Sequence, residues 1–122
     1  MRKSAKFVFL GRPISKKNSK RLFMRGSRPI ALPSAAYEKF KKEVGQQMLK
    51  YKRERFTGKL YIDYFFFIKG KMRQDADNAM ASINDLLQEF GIIEDDNNIE
   101  GGTFGKIHDC KEWKTEVIIY YE

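Results

Sequence analysis

The chain has 122 residues, 42% hydrophobic and 14% aromatic, with 24 Lys and Arg against 16 Asp and Glu, one His and one Cys. That length is one ordinary domain, able to bury a core without a disulfide or metal staple, and the composition excludes a disordered chain. A single Cys excludes an internal disulfide and points to a reducing compartment, while the longest apolar run, Tyr64 to Ile68, is far short of the roughly 18 residues of a membrane span.

The opening six residues are basic. Gly11-Arg12-Pro13 follows the first apolar run where a signal peptide would carry a small-residue cleavage site, so a cytoplasmic protein is expected. Lys6 to Leu10 is aromatic and aliphatic and reads as a strand. Residues 11–33 read as a long basic loop with a short hairpin around Arg25-Gly26-Ser27. Ser34 is an N-cap candidate for a helix over about 35–54. Ala36, Phe40, Val44, Met48 and Tyr51 form its apolar stripe, and Lys39, Lys41, Lys42, Lys50 and Lys52 its basic face.

Lys59 to Ile68 is the clearest strand. Leu60, Ile62, Tyr64, Phe66 and Ile68 share one face, and Tyr61, Phe65 and Phe67 the other, so a central strand is expected. Asp63 interrupts it and is expected to pair with a lysine of the first helix. A second helix over about 76–90 has the stripe Ala79, Ile83, Leu86, Leu87 and Phe90, with Gly91 as its stop. Asp95-Asp96-Asn97-Asn98 reads as a turn. Thr103–His108 and Thr115–Tyr121 read as closing strands, and Trp113 and the Phe65–Phe67 cluster as core. This order predicts a single α+β domain over residues 1–122, a mixed sheet with two main helices packed on it.

The charge is divided along the chain. Residues 1–73 hold 21 Lys and Arg and 4 Asp and Glu; residues 74–122 hold 3 and 12. The basic half points to a polyanion. A carboxylate cluster in the same domain would repel phosphates unless a divalent cation sits there, and that pairing is expected of a metal-dependent enzyme acting on nucleic acid. The sharpest feature is Asp75-x-Asp77-Asn78, where the central strand gives way to the second helix. Asp95-Asp96 begins eighteen residues past Asp77. A helix of about fifteen residues spans roughly 22 Å, so the two sets meet only if the chain folds back, and Gly91 permits such a return. Converging carboxylates require a compensating cation, and hard oxygen ligands favour Mg²⁺ or Mn²⁺. An EF-hand is excluded, because Ala79 and Met80 stand where its loop needs an oxygen ligand and glycine. Asp85 reads as structural, and nothing marks Cys110, beside His108, as an activated nucleophile. In the basic loop, Lys16, Lys17, Lys20, Arg21, Arg25 and Arg28 are suited to phosphate oxygens, and Phe23 and Met24 to wedging or stacking on bases.

Gln74-Asp75-Ala76-Asp77-Asn78, Asn84-Asp85-Leu86-Leu87 and Gly91-Ile92-Ile93-Glu94-Asp95-Asp96-Asn97-Asn98-Ile99 resemble the signature of the RusA family of Holliday junction resolvases. Gly11-Arg12-Pro13-Ile14-Ser15-Lys16-Lys17-Asn18 is similar to that family's Pro- and Lys-rich opening. The resemblance spans residue 6 to the C-terminus. It implies a small homodimeric, Mg²⁺-dependent endonuclease of bacterial or phage origin that nicks a four-way DNA junction symmetrically. It also implies Asp75, Asp77 and Asp96 as catalytic metal ligands, with Asp95 a further candidate. One position departs from the pattern: the family commonly has a lysine four residues after the second aspartate of D-x-D-N, and here that residue is Ala81. Lys71 or Arg73, just before the motif, are candidates to replace it and to contact DNA. Two alternatives stand beside a resolvase: a weak or inactive junction-binding protein of the same fold, and a nuclease for other branched DNA.

Overall fold

The computed structural model describes residues 2–16, 20–26, 28–51 and 55–122, with the backbone alone for 20–25, 29–31 and 33. Its elements run β1 (Lys3–Leu10), β2 (Lys20–Arg25), β3 (Arg28–Pro33), α1 (Ala35–Leu49), β4 (Leu60–Lys69), α2 (Ala76–Glu89), a 3₁₀ turn (Asp96–Asn98), β5 (Ile99–Gly101), β6 (Phe104–Cys110) and β7 (Lys114–Tyr121). The expected α+β domain is present. A five-stranded mixed sheet is ordered β1-β7-β4-β5, with β6 also pairing β4; β1 and β4 flank β7 antiparallel, and β5 and β6 run parallel to β4. The hairpin expected within the basic loop is larger than its turn suggested, forming a separate two-stranded ribbon of β2 and β3.

The core lies between one sheet face and the two helices. Registers align Ala5, Ile119 and Ile62 in one row across β1, β7 and β4, Phe7, Val117 and Tyr64 in the next, and Phe9, Thr115 and Phe66 in a third. Against these rows pack Tyr37, Phe40, Val44 and Met48 of α1, and Ala79, Ile83, Leu86 and Leu87 of α2. Burying each of these large apolar side chains stabilises the fold by about 1.5–3 kcal/mol relative to exposure. In α1, Tyr37 takes the core position expected for Ala36, which is exposed. Ser34 caps α1 as expected, its hydroxyl accepting from the Tyr37 amide at 3.1 Å. The helix ends at Leu49, short of the predicted 54, and residues 52–54 lie outside the described residues.

The second face of β4 is not a second core. Tyr61 is exposed, and Phe65 and Phe67 are half-buried. Lys114 holds its ammonium 4.2 Å from the Phe67 ring centre, covering an aromatic that no helix covers. Trp113 is likewise half-buried rather than core, stacked under the Arg12 guanidinium.

The outer edge of β1 is closed by side chains from α1 and from the residues just past its end. Gln47 accepts from the Leu10 amide and donates to its carbonyl, both at 2.7 Å, and the Tyr51 hydroxyl lies 3.5 and 3.4 Å from the corresponding Val8 groups. No helix among the described residues is long and apolar enough to cross a membrane.

Candidate nuclease site

β4 delivers the chain into α2, and the local sequence fixes the start of that helix. Asp75 is the N-cap, its carboxylate accepting from the Asn78 amide at 3.1 Å. Asp77 stands in the first turn, where the exposed amides favour negative charge. The segment before Asp75 is tied to the loop after β1: Arg12 Nη2 donates to the Arg73 carbonyl at 3.2 Å, and Gln74 Nε2 donates to the Pro13 carbonyl at 3.2 Å. Sequence reasoning missed both Arg12 and Gln74, whose partners lie 61 residues away.

The return after α2 occurs where Gly91 marked it. Gly91 has φ 76°, and the Ile92 and Ile93 amides both donate to the Leu87 carbonyl, at 2.8 and 3.1 Å. The chain then doubles back, with Ile93 bridging to Phe56 in parallel. Asp95 caps the 3₁₀ turn by accepting from the Asn97 amide at 2.9 Å, and the Asp96 amide donates to Gln88 Oε1 at 2.9 Å. Gln88, also missed, anchors the returning strand to the helix it has just left.

This return sets Asp96 beside Asp85 in a cavity of about 560 Å³ that Lys16, Lys41 and Gln88 also line. Asp85 is held above the usual carboxylate range, first by burial and then by the charge of Asp96, with Lys16 pulling the other way. Lys16, expected as a DNA contact, thus also faces the carboxylates. Lys41 is committed to Glu89 at 2.8 Å, a bond that raises the lysine's pKa.

Asp77 lines a different cavity of about 390 Å³ with Tyr64, Ala81, Asn84 and Gly102. Tyr64 donates to Asn84 Oδ1 at 2.5 Å, and burial pushes its phenol up to about 12. Ala81 leaves open a wall of this cavity one helical turn from Asp77. Asp75 and Asp77 therefore sit at the start of α2, and Asp96 beside its later turns. Among the described residues, no three His, Cys, Asp or Glu side chains are gathered closely enough to hold one ion.

Asp63 pairs with no lysine among the described residues, and the expected helix partner is replaced by neighbours in the sheet. Its carboxylate accepts from the Thr103 amide at 3.0 Å, the Thr103 hydroxyl at 2.8 Å and the Tyr120 hydroxyl at 3.0 Å. Burial pushes its pKa up, but these three donors outweigh burial and hold it below the usual range. Through Thr103, Asp63 fixes the glycine turn that walls the Asp77 cavity. A Cβ on Gly102, at φ 151°, would lie 1.7 Å from the Ile62 carbonyl oxygen, so the turn accepts only glycine.

Lys71 and Arg73 are exposed on the β4–α2 connection. Lys20, Arg21 and Arg25 lie on β2, and Lys17 lies outside the described residues.

No curated protein sequence matches the chain. A protein-family model described as endodeoxyribonuclease RusA matches residues 11–120.

Proposed function

The chain belongs to the RusA endodeoxyribonuclease family, and on that basis we propose that it is a Mg²⁺-dependent nuclease that resolves four-way DNA junctions by paired symmetric nicks in recombination and repair. The observation that carries this reading is a family match over residues 11–120, together with an aspartate motif at the start of α2 and an aspartate pair on the return from it. The donors are all carboxylate oxygens, which suit Mg²⁺ and also Mn²⁺. Asp96 shares its cavity with the carboxylate of Asp85, and two neighbouring carboxylates favour added positive charge.

Asp75, Asp77 and Asp96 would hold the cation, with Asp95 adjacent. A cation held there would supply a water of lowered pKa and charge stabilisation for the leaving 3′ oxygen, and hydrolysis on that side of the phosphate would give 5′-phosphate and 3′-hydroxyl ends. Asp75 and Asp95 each commit one oxygen to a helix cap and keep the other for this task. Asp77 and Asp96 line different cavities, so gathering the three ligands on one cation would require the return segment, and not the side chains alone, to shift. Lys16, Lys71 and Arg73 would take scissile-strand phosphates, and the ribbon residues Lys20, Arg21 and Arg25, with Lys17 before them, the arms. Two symmetric nicks call for two active sites related by a two-fold axis. The edge strand β6, with Phe104 53% and Ile107 38% exposed, is a surface on which a homodimer can form. The cytoplasm of a bacterium, with the gene carried by host or phage, is the setting this implies.

A second reading is favoured by Ala81 and by the separation of Asp77 from Asp96: a junction-binding protein with weak or no cleavage. The test is cleavage of a synthetic mobile four-way junction with Mg²⁺ and with EDTA, beside Asp77→Asn, with flaps, forks and linear duplex as parallel substrates. Paired nicks that need Mg²⁺ and vanish in Asp77→Asn support the resolvase. Cleavage retained in Asp77→Asn overturns the metal assignment. Tight binding without nicks moves the reading to a binding protein, and preference for flaps or forks moves it to another branched substrate.

A further inference from the structure

A second concavity lies away from the aspartates. It is an open groove of about 760 Å³ between α1, the end of β1 and the β6–β7 turn. Arg12, Lys39, Lys50, Lys69 and Lys111 line it, against the carboxylates Glu43 and Glu112 alone. Its floor includes Trp113, whose ring centre lies 4.6 Å from the Arg12 guanidinium. Among the described residues, Lys50, Lys69, Lys111 and Arg12 have no ion-pair partner, and Lys39 reaches Glu43 only at 3.9 Å. Arg12 Nε is buried and lacks a hydrogen-bond partner.

These cations are spread out rather than convergent. Lys39 and Lys50 stand eleven residues apart on or at the end of α1, a rise of about 16 Å. A small anion would need them gathered at one point. An extended polyanion needs them distributed, since its phosphates follow one another along the strand rather than meeting at one point. One end of the groove is also tied to the segment that leads into the aspartate motif, because Arg12 both lines it and donates to the Arg73 carbonyl two residues before Asp75.

We propose that this groove is a second DNA track, seating the phosphate backbone of a junction arm along α1 and leading it over Arg12 to the D-x-D-N motif. The proposal rests on the family reading given above. It divides the basic face of α1: Lys39 and Lys50 serve the groove, while Lys41 is held by Glu89 on the opposite flank.

Two triple variants test it: Lys39→Glu/Lys50→Glu/Lys111→Glu in the groove, and Lys3→Glu/Lys6→Glu/Lys59→Glu outside it, with identical changes in net charge. Junction binding is measured in EDTA across a salt series, after thermal melting has confirmed folding. Lys→Gln triples replace any reversal that unfolds. The groove triple is expected to lose at least about 30-fold in affinity, and its log–log salt slope to flatten by about 3, at about 0.9 per phosphate contact. The outer triple is expected to lose less than about 3-fold. Equal losses would mean that overall charge, not the groove, sets affinity, and would overturn the proposal; so would an unaffected groove triple with a binding wild type. A wild-type protein that binds no junction overturns the family reading and this proposal together.

Discussion

The acidic stretch from Gln74 to Gly105 and the basic groove beside α1 are assembled by opposite means. The acidic stretch is held mostly by near neighbours in sequence: Asp75 caps the amide three residues on, Asp95 the amide two residues on, and Gln88 the amide eight residues on. The groove draws its cations from β1's exit, α1, the end of β4 and the β6–β7 turn, so long-range packing alone brings them together. Local hydrogen bonds fix the backbone of the acidic stretch while leaving one oxygen of each capping carboxylate uncommitted. Dispersed, exposed lysines supply a charged track whose exact geometry matters less, since counterion release rather than bonding geometry dominates such binding.

The largest expected effect falls on the acidic side. Asp96→Asn should lower Mg²⁺-dependent junction cleavage by at least about 1,000-fold, about 4 kcal/mol of activation free energy, while Asp95→Asn, which keeps its cap, should change it by less than about 10-fold. Single-turnover cleavage of both variants decides whether the return loop supplies one ligand or two. Next is the place where the acidic stretch abandons local bonding and locks onto the sheet. Gly102→Ala drives a methyl into the Ile62 carbonyl and should cost about 3 kcal/mol, read by chemical denaturation. Asp63→Ala leaves Thr103 and Tyr120 donors unmatched and should cost about 1–3 kcal/mol.

Asp63 also gives that lock a pH signature. Its pKa is lowered in the folded state. Its stabilisation is therefore fully present above the unfolded aspartate value of about 3.9 and is lost as pH falls through the lower folded value. Denaturation midpoints of wild type and Asp63→Ala should converge as pH drops below about 4 and stay apart at neutral pH. The smallest effect belongs to neither region. Thr115 is 1% exposed between Phe9 and Phe66, its hydroxyl without a partner. Thr115→Val should stabilise by up to about 1 kcal/mol and leave cleavage unchanged, a control that separates folding from chemistry.

The same division explains what could be read from the sequence. Ser34, Gly91 and the stripes of α1 and α2 announce themselves through local spacing, and so does the D-x-D-N cap. The return of Asp96 was foreseeable from Gly91, but its landing beside Asp85 was not, since that depends on Gln88 and on the bridge from Ile93 to Phe56. Asp63 was misread because its partners lie 40 and 57 residues away. Trp113 and Phe67 read as core because composition cannot say that a cation, rather than a helix, covers an aromatic face. Of the groove, only Lys39 and Lys50 on the basic face of α1 were legible; Arg12, Lys69 and Lys111 join them through long-range packing.

The side-chain clasp of Gln47 and Tyr51 on β1 bears on how copies of this chain can associate. Val8 and Leu10 have their outward backbone groups engaged, and the rest of that edge carries Lys3 and Lys6, a charge that resists strand addition. A sheet blocked along one margin and open along β6 can be extended once, by a second molecule using the same margin, after which no template remains. Were copies of the chain to join through β6, the assembly would stop at a pair instead of growing into a fibre.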